Sequence, residues 1–267
     1  MANLLDIVPP YLRFLFSTWQ RAQECRTNIE KWKAYIESKL RKQPFRCRLL
    51  GGPRISIRPL PSHDLQTAIE IFADRIYDCE LDPESVLRIA DLGGNVGYSC
   101  LFWCERYPKA SVLTFEPHPV HCRALEWHLR KNGYASRVEL VAAAAGVRNG
   151  TADLTDEDDA SAIVQGSVLG SIKVPIVDVF EAIPDGTIDL LKIDIEGSEY
   201  AILEDPRFAS LAARTRCVLL EWHVRGERGE ALCHNLLSSL GFRVKAGRTS
   251  EDKCGKLFCG MLYCFRE

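Results

Sequence analysis

The stretch Leu87–Tyr98, which reads L-R-I-A-D-L-G-G-N-V-G-Y, constrains the fold of this chain more than any other. A short apolar run ends in Asp91, passes through Gly93 and Gly94, and enters a helix-like spacing of apolar residues at Val96. This order is typical of a buried parallel strand that turns tightly into a helix. Because glycines allow a backbone to bend sharply or a ligand to approach closely, the turn predicts a cofactor site.

The spacing of the glycines argues against a dinucleotide at this turn. A dinucleotide-binding loop has glycines at its first, third and sixth positions, but counting from Gly93 places Asn95 third and Tyr98 sixth. Asp91, at the end of the strand, would also repel a pyrophosphate. A carboxylate there suits a positively charged cofactor such as S-adenosylmethionine, which carries a sulfonium and an ammonium group. We therefore expect S-adenosylmethionine rather than NAD.

A second acidic residue stands where a ribose would be bound. Glu116 lies 19 residues beyond Gly97, at the end of the apolar run Val112–Phe115. An acidic residue about 20 positions after a glycine loop, at the end of the next strand, is placed to accept hydrogen bonds from a ribose diol. Glu116 is therefore a candidate cofactor ligand.

The composition is that of an ordinary globular protein, with 46% apolar and 26% charged residues among 267. No apolar run approaches the roughly 20 residues that a membrane-spanning helix needs. The N-terminal stretch contains Asp6 and Pro9-Pro10 with no basic segment before them, which is a poor match to a signal peptide. Eleven cysteines without a C-x-x-C pair indicate buried thiols in a reducing compartment. We expect a cytoplasmic protein without a transmembrane segment.

Residues 1–43 predict a helical arm with one apolar and one basic face. The apolar positions recur at helical spacing and are Cys25, Ile29, Trp32, Ile36 and Leu40. Residues 21–48 hold nine Lys or Arg against three Glu, a local charge of +6. Such a basic face is most often the solvated side of a helix, so we expect no nucleic-acid partner. The apolar face predicts packing on the same chain or contact between copies in a homo-oligomer.

The pattern of the chain changes near residue 85, where we place a domain boundary. Residues 1–84 comprise the arm, a β-hairpin formed by Phe45–Leu50 and Arg54–Arg58, and a helix over Leu65–Tyr77. In residues 85–267, strands and helices alternate, which predicts a mainly parallel sheet with helices on both faces and ligands at the carboxyl ends of its strands.

The predicted strands are Leu87–Asp91, Val112–Glu116, Val138–Ala142, Ile188–Ile195 and Cys217–Trp222, followed by a closing hairpin of Phe242–Lys245 and Leu257–Phe265. The predicted helices are Val96–Tyr107, Pro119–Asn132, Ser198–Leu203 and Gly229–Leu240. We expect the acidic loop Thr155–Ala160 to be an irregular insertion.

Charged residues interrupt the apolar strand Ile188–Ile195. Since side chains of a strand alternate between its faces, Lys192, Asp194 and Glu196 share one face. A buried lysine and aspartate are costly unless they are paired, so Lys192 could form a structural ion pair. Asp194 and Glu196 stand at the end where a cleft should open. Glu199 follows as a helix cap or a substrate contact.

The next strand ends in a second polar pair, Glu221 and His223, which point to one side. Histidine is a natural acceptor for the proton of a hydroxyl nucleophile, and a carboxylate can orient it. We expect His223 or Asp194 to act as the base. The other histidines near the glycine loop lie on or before one predicted helix, and we expect no role for them: His118, His121 and His128.

Four motifs resemble those of the FkbM family of S-adenosylmethionine-dependent methyltransferases. They are D-L-G-G-N-V-G in the glycine loop, T-F-E-P-H-P at Thr114–Pro119, L-L-K-I-D-I-E-G-S-E at Leu190–Glu199 and E-W-H at Glu221–His223. The similarity covers about residues 45–245 and is weak in the hairpin and in residues 147–173. It implies a class I, Rossmann-like methyltransferase fold. It also implies O-methylation of sugars or natural products, although some relatives methylate carboxylates or amide nitrogens of small acids and peptides.

The predicted site therefore has two parts. The cofactor is assigned to Asp91, Gly93, Gly94, Asn95, Gly97, Glu116, Pro117 and Asp194, and catalysis to His223, Asp194, Glu196 and Glu221. No resident metal is predicted. Three alternatives stay open at this point: a non-catalytic cofactor-binding scaffold, a nicotinamide dehydrogenase, and a metal-assisted methyltransferase in which Asp194 and Glu221 bind Mg²⁺.

Overall fold

The computed structural model describes residues 43–49, 51–59, 62–155, 163–164, 171–251 and 257–266. The chain divides into two compact units, residues 1–78 and 79–267, which are described separately below. The domain boundary at residues 84 and 85 stays a prediction. The helical arm falls, except for its last residue, outside the described residues.

The first unit contains the expected β-hairpin. Strands β1 (Phe45–Arg48) and β2 (Arg54–Ile57) pair antiparallel. Helix α1 (Asp64–Ala68) follows and continues as a π-helical turn, Ile69–Ala73. The helix is shorter than the predicted Leu65–Tyr77 because the chain turns at Arg75, whose φ is +56°.

The second unit is built on a sheet of seven strands in the order β12-β13-β11-β10-β3-β4-β5. Its strands are β3 (Arg88–Leu92), β4 (Ser111–Phe115), β5 (Val138–Val141), β10 (Ile188–Ile193), β11 (Thr215–His223), β12 (Arg243–Glu251) and β13 (Leu257–Phe265). β3, β4, β5, β10 and β11 are parallel, while β13 pairs antiparallel with β11 and β12. The mainly parallel sheet and its closing hairpin are thus confirmed.

Helices connect these strands, as the alternating pattern predicts. They are α2 (Tyr98–Arg106), α3 (Pro119–Asn132), α4 (Val179–Ala182), α5 (Glu199–Leu203), α6 (Phe208–Ala213) and α7 (Glu230–Ser239). The bounds of α3 agree with the sequence because Pro119 opens the helix and the left-handed Gly133, at φ +75°, ends it. The arrangement is the Rossmann-like fold of class I methyltransferases.

A second, four-stranded sheet was not expected. It has the order β6-β9-β7-β8 and consists of β6 (Ala144–Gly146), β7 (Gly150–Thr155), β8 (Ile163–Val164) and β9 (Ser171–Asp178). The sequence obscures β6 and β8, which are short, and β7, which is rich in small and polar residues. β9 does carry apolar residues at a period of two, Ile172, Val174 and Ile176, and this signal was missed. Most of the expected acidic insertion, Thr155–Ala160, lies outside the described residues.

The strand order reverses at β3, and this reversal locates the ligand crevice. The chain runs from β3 outward to β4 and β5, and later returns to place β10 on the other side of β3. Ligands of open α/β sheets bind outside the carboxyl ends of the strands at such a switch point. The crevice is therefore expected beside Leu92 and Ile193, which are register partners at the ends of these two strands.

The hydrophobic core lies along the central strands of the same sheet. Every residue of β10 is buried, including the charged Asp189 and Lys192, as is usual for a parallel strand covered on both faces. The cysteines of the described residues form no disulfide, and all except Cys47 are buried. Among the described helices, none is both long and apolar enough to cross a bilayer.

Candidate active site

The glycine loop after β3 is shaped by close contact between the two switch-point strands. Gly93 has a φ of +91°, and its N–H donates to Phe115 O at 3.0 Å. A Cβ atom on Gly93 would overlap the backbone oxygen of Asp194. Glycine is required here because the loop and the end of β10 leave no room for a side chain.

Gly94 and Gly97 serve packing within the protein. A Cβ on Gly94 would overlap Thr114 Oγ1, and one on Gly97, whose φ is +90°, would lie 2.8 Å from Leu125 Cγ. Neither residue lines the pocket described next. Their contact with the cofactor stays a prediction; the structure shows that they let α2 start close against β4 and α3.

A pocket opens at the switch point, where the crevice is expected. Its walls come from the glycine loop, the end of β4, the start of α3, the small sheet and the end of β10. The lining residues are Gly93, Asn95, Phe115, Glu116, Pro117, His121, Ala144, Ala145, Leu154, Asp194, Ile195, Glu196 and Ser198. Six of them were predicted as site residues: Gly93, Asn95, Glu116, Pro117, Asp194 and Glu196.

Glu116 lines this pocket at the end of β4. Its Oε2 accepts a hydrogen bond from Asn95 N and its Oε1 accepts one from His118 N, both at 2.8 Å. The carboxylate is almost fully buried. It ties the left-handed Asn95, at φ +47°, to the end of β4 and so fixes the shape of the loop.

His121 lines the pocket, although no role was expected for it. Its Nδ1 lies 3.3 Å from Glu116 Oε1, and its ring stacks on His118 at 4.4 Å between centroids. His121 stands five residues after Glu116, near the start of α3, so it faces the end of the preceding strand. Its position so soon after the end of a strand could have marked His121 as a site residue in the sequence.

The pocket residues of the small sheet, Ala144, Ala145 and Leu154, were also missed. They supply apolar surface opposite Glu116. No motif marks them in the sequence, because alanine and leucine are common in any core. Only the fold brings them to the site.

Lys192 is buried between two aspartates at the switch point. Its Nζ lies 3.3 Å from Asp91 Oδ1 and 3.1 Å from Asp194 Oδ2, and it donates to Gly93 O at 2.6 Å. The Lys192 side chain is 2% exposed and that of Asp91 is 0% exposed. The ion pair that was weighed for Lys192 is therefore present, and it joins β3, β10 and the glycine loop.

Asp91 does not reach the pocket. Its Oδ2 accepts hydrogen bonds from Ser99 Oγ at 2.8 Å and Thr114 Oγ1 at 3.0 Å. Burial raises the pKa of Asp91, and the charge of Lys192 opposes that rise. The structure thus shows Asp91 supporting the glycine loop through its partners, and its direct contact with the cofactor stays a prediction.

His223 and three glutamates form the other end of the site. His223 Nδ1 lies 3.0 Å from Glu199 Oε1, and His223 Nε2 lies 3.4 Å from Glu196 Oε2. His223 and Glu199 are buried, whereas 35% of the Glu196 side chain is exposed. Glu221 precedes His223 by two residues on β11, and the pocket lining includes none of Glu221, His223 and Glu199. Sequence reasoning paired His223 with Glu221, but the carboxylates nearest its ring nitrogens are those of Glu199 and Glu196.

The pKa values of His223, Glu196 and Glu221 are shifted from those of ordinary side chains. Burial alone would lower the pKa of His223, but the Glu199 hydrogen bond and the surrounding carboxylates raise it to about 9. Burial and the charge of Asp194 raise the pKa of Glu196 to about 7 and that of Glu221 to about 8. The cluster therefore holds protons near neutral pH, and its ionisation can change during a reaction.

The same donor atoms could hold a cation. One ligand atom each from Asp194, Glu196 and His223 lie within 4.8 Å of one another, as do those of Glu221, His223 and Cys259. The metal-assisted alternative thus has a set of donors, and it stays a prediction.

A comparison with protein families identifies the chain. The family described as the methyltransferase FkbM domain matches residues 91–248, more than half of the chain, and spans every element of the site. The chain belongs to the FkbM family. The protein is therefore a methyltransferase, and the family resemblance of its motifs is confirmed.

Individual methyltransferases are similar to about two thirds of this chain. Methyltransferase sdnD of Sordaria araneosa is 28% identical over 215 residues, which cover 67% of this chain and 82% of that protein. The 31-O-demethyl-FK506 methyltransferase FkbM of Streptomyces tacrolimicus is 32% identical over 215 residues, 66% of this chain and 81% of that protein. A solved structure of methyltransferase FkbM from Methylobacillus flagellatus KT has 16% identity and a TM-score of 0.49, covering 95% of this chain and 59% of that one.

The buried lysine of this FkbM-family site leads to a stability prediction. Lys192→Met keeps the length of the side chain but leaves Asp91 and Asp194 without their cation. We expect the free energy of unfolding to fall by about 3–5 kcal/mol in urea titrations. Lys173→Met is the control, because Lys173 is 68% exposed and lies 3.5 Å from Asp153 at the surface. That variant should lose less than about 1 kcal/mol. Equal losses in the two variants would contradict the role given to Lys192.

Proposed function

We propose that this methyltransferase transfers the methyl group of S-adenosylmethionine to a hydroxyl oxygen of a sugar or natural-product acceptor. The observation that carries the proposal is a single cleft in which Glu116 stands on one side and Asp194 and Glu196, with His223 behind them, stand on the other. The relative from Streptomyces tacrolimicus is a 31-O-demethyl-FK506 methyltransferase, which supports oxygen as the acceptor atom.

The pocket has the donors and charges that S-adenosylmethionine needs. Glu116 accepts one backbone N–H at each oxygen, and a carboxylate oxygen can accept a second hydrogen bond, so capacity for a ribose diol remains. Asp194 provides negative charge for an ammonium or sulfonium group. Gly93, Asn95 and Pro117 complete the wall that would hold the nucleoside. When bound, the cofactor supplies an electrophilic methyl group on sulfur.

The chain's own contribution to the reaction is to position the acceptor and to take its proton. His223 Nδ1 faces Glu199, which leaves Nε2 directed toward the side of Glu196. We assign Nε2 as the atom that would accept the hydroxyl proton as the acceptor oxygen is methylated. General-base assistance of this kind contributes about 10²–10⁴-fold, and the remainder is orientation.

Other acceptors and a cation remain alternatives. Transfer to nitrogen or to a carboxylate would use the same cleft, and a carboxylate acceptor would need no base. Loss of activity on chelation, with recovery on adding Mg²⁺, would favour the metal-assisted route. The cytoplasmic location, a small-molecule or peptide acceptor, and a homo-oligomer through residues 1–43 stay predictions.

Cofactor binding gives the first test of the proposed function. Glu116→Ala should weaken the binding of S-adenosylhomocysteine about ten- to a hundredfold in calorimetry, because charge-assisted hydrogen bonds to a ribose are worth about 1.5–3 kcal/mol. Glu126→Ala, which removes a half-exposed glutamate from α3, should leave the affinity unchanged. Tight binding of NAD, with none of S-adenosylhomocysteine, would overturn the cofactor assignment.

The pH dependence of turnover tests the base. Only neutral His223 can accept a proton, and its pKa is raised to about 9, so kcat should rise with pH up to a midpoint near 9. His223→Ala should lower kcat by about 10²–10⁴-fold, should lose this pH dependence, and should bind S-adenosylhomocysteine normally. Full turnover in His223→Ala, together with a folded but inactive Asp194→Asn, would make Asp194 the base.

A further inference from the structure

Glu199 is buried inside the protein. Its side chain makes more contacts than the cap of a helix requires. It is the first residue of α5, and its side chain is 0% exposed. Its Oε1 accepts hydrogen bonds from Ile195 N at 3.1 Å and Gly197 N at 3.0 Å. The same oxygen lies 3.0 Å from His223 Nδ1. One carboxylate oxygen thus connects the loop after β10 to the end of β11.

The loop that Glu199 holds carries Glu196 into the pocket. Glu196 and Gly197 are both left-handed, at φ values of +53° and +92°, and this conformation is unfavourable for a glutamate. Arg225 Nη2 donates to Glu196 O at 2.9 Å. Because Glu199 binds the N–H groups on either side of Glu196, it sustains the conformation that points this carboxylate toward His223.

Glu199 also determines which ring nitrogen of neutral His223 carries the proton. With Nδ1 as the donor to Glu199, the proton of neutral His223 resides on Nδ1, and Nε2 keeps its lone pair. The backbone of His223 is fixed separately, since Tyr200 donates its hydroxyl hydrogen to His223 O at 2.6 Å. The ring is therefore oriented by Glu199 and the strand by Tyr200.

Glu199 has a second carboxylate oxygen that takes no part in these contacts. Glu199 Oε2 is buried and has no hydrogen-bond partner among the described residues. A buried polar atom without a partner is unfavourable and calls for an explanation. A neutral acceptor could bind the N–H groups of Ile195 and Gly197 equally well. What a neutral acceptor could not supply is the negative charge next to His223.

We propose that Glu199 is a positioning residue that orients His223 and sets the pH range in which the transfer proceeds. The proposal rests on the proposed function, in which His223 is the base. The charged and titratable groups around His223 come from α5, from the end of β10 and the loop after it, from β11 and from β13. They are Glu199, Asp194, Glu196, Glu221 and Cys259. Among these groups, Glu199 is the one in contact with His223 Nδ1.

Glu199→Gln separates the charge from the hydrogen bonds. Its amide oxygen can accept from the same donors, so the loop and the ring orientation are retained while the charge is lost. The midpoint of the pH–kcat profile should move to a pH about 1–3 lower, with the acceptor KM nearly unchanged. Glu204→Gln is the control, because Glu204 is exposed and pairs with Arg228. That variant should keep the wild-type profile. An unshifted profile in Glu199→Gln would overturn the proposal.

A measurement on the wild-type protein covers the case in which Glu199→Gln does not fold. The ¹⁵N chemical shifts of the His223 ring, assigned by their loss in His223→Gln, report its tautomer directly. Above the midpoint we expect hydrogen on Nδ1 and a bare Nε2; hydrogen on Nε2 would overturn the proposal without any kinetic assay. Conversely, full turnover in His223→Ala would remove His223 as the base even if the tautomer is the expected one. The role of Glu199 in the pH profile would then be overturned, whereas methyl transfer to a hydroxyl would stand.

Discussion

The site depends on one buried cation. Lys192 sits in a strand that is buried at every position, and its contacts with Asp91, Asp194 and the oxygen of Gly93 offset the cost of that burial. These contacts join two neighbouring parallel strands at the point where the strand order reverses. Because the glycine loop and the end of β10 share this lysine, the two walls that they give to the pocket are held in a fixed relation.

From this junction the two halves of the site extend in opposite directions. On one side Glu116 binds the backbone of the glycine loop and presents a carboxylate to the cleft. On the other side Glu199 binds the loop around Glu196 and the ring of His223. In both halves a buried carboxylate holds a left-handed loop in place, and the loop residue or its neighbour lines the pocket. Preorganisation of this kind suits a methyl transfer, in which most of the catalysis is alignment.

Much of this arrangement can be predicted from the sequence, because it depends on residues that are close together along the chain. Strand parity places Lys192 with Asp194, and the spacing after the glycine loop places Glu116 at a strand end. Contacts between elements that are far apart along the chain are harder to predict. The sequence does not show how deeply a strand end is buried, so the complete burial of Asp91 could not be predicted. The sequence also gives no sign that His223 pairs with a residue of another element, or that the small sheet supplies apolar residues to the pocket.

The central claim is that one cleft holds the cofactor against Glu116 and directs its reactive end toward Asp194 and Glu196. A crystal structure of the protein with S-adenosylhomocysteine tests this claim most directly. The account predicts ribose hydroxyls within hydrogen-bond distance of Glu116 and the sulfur atom on the Asp194–Glu196 side of the cleft. A ribose bound away from Glu116, or a sulfur atom facing the small sheet at Leu154, would contradict it.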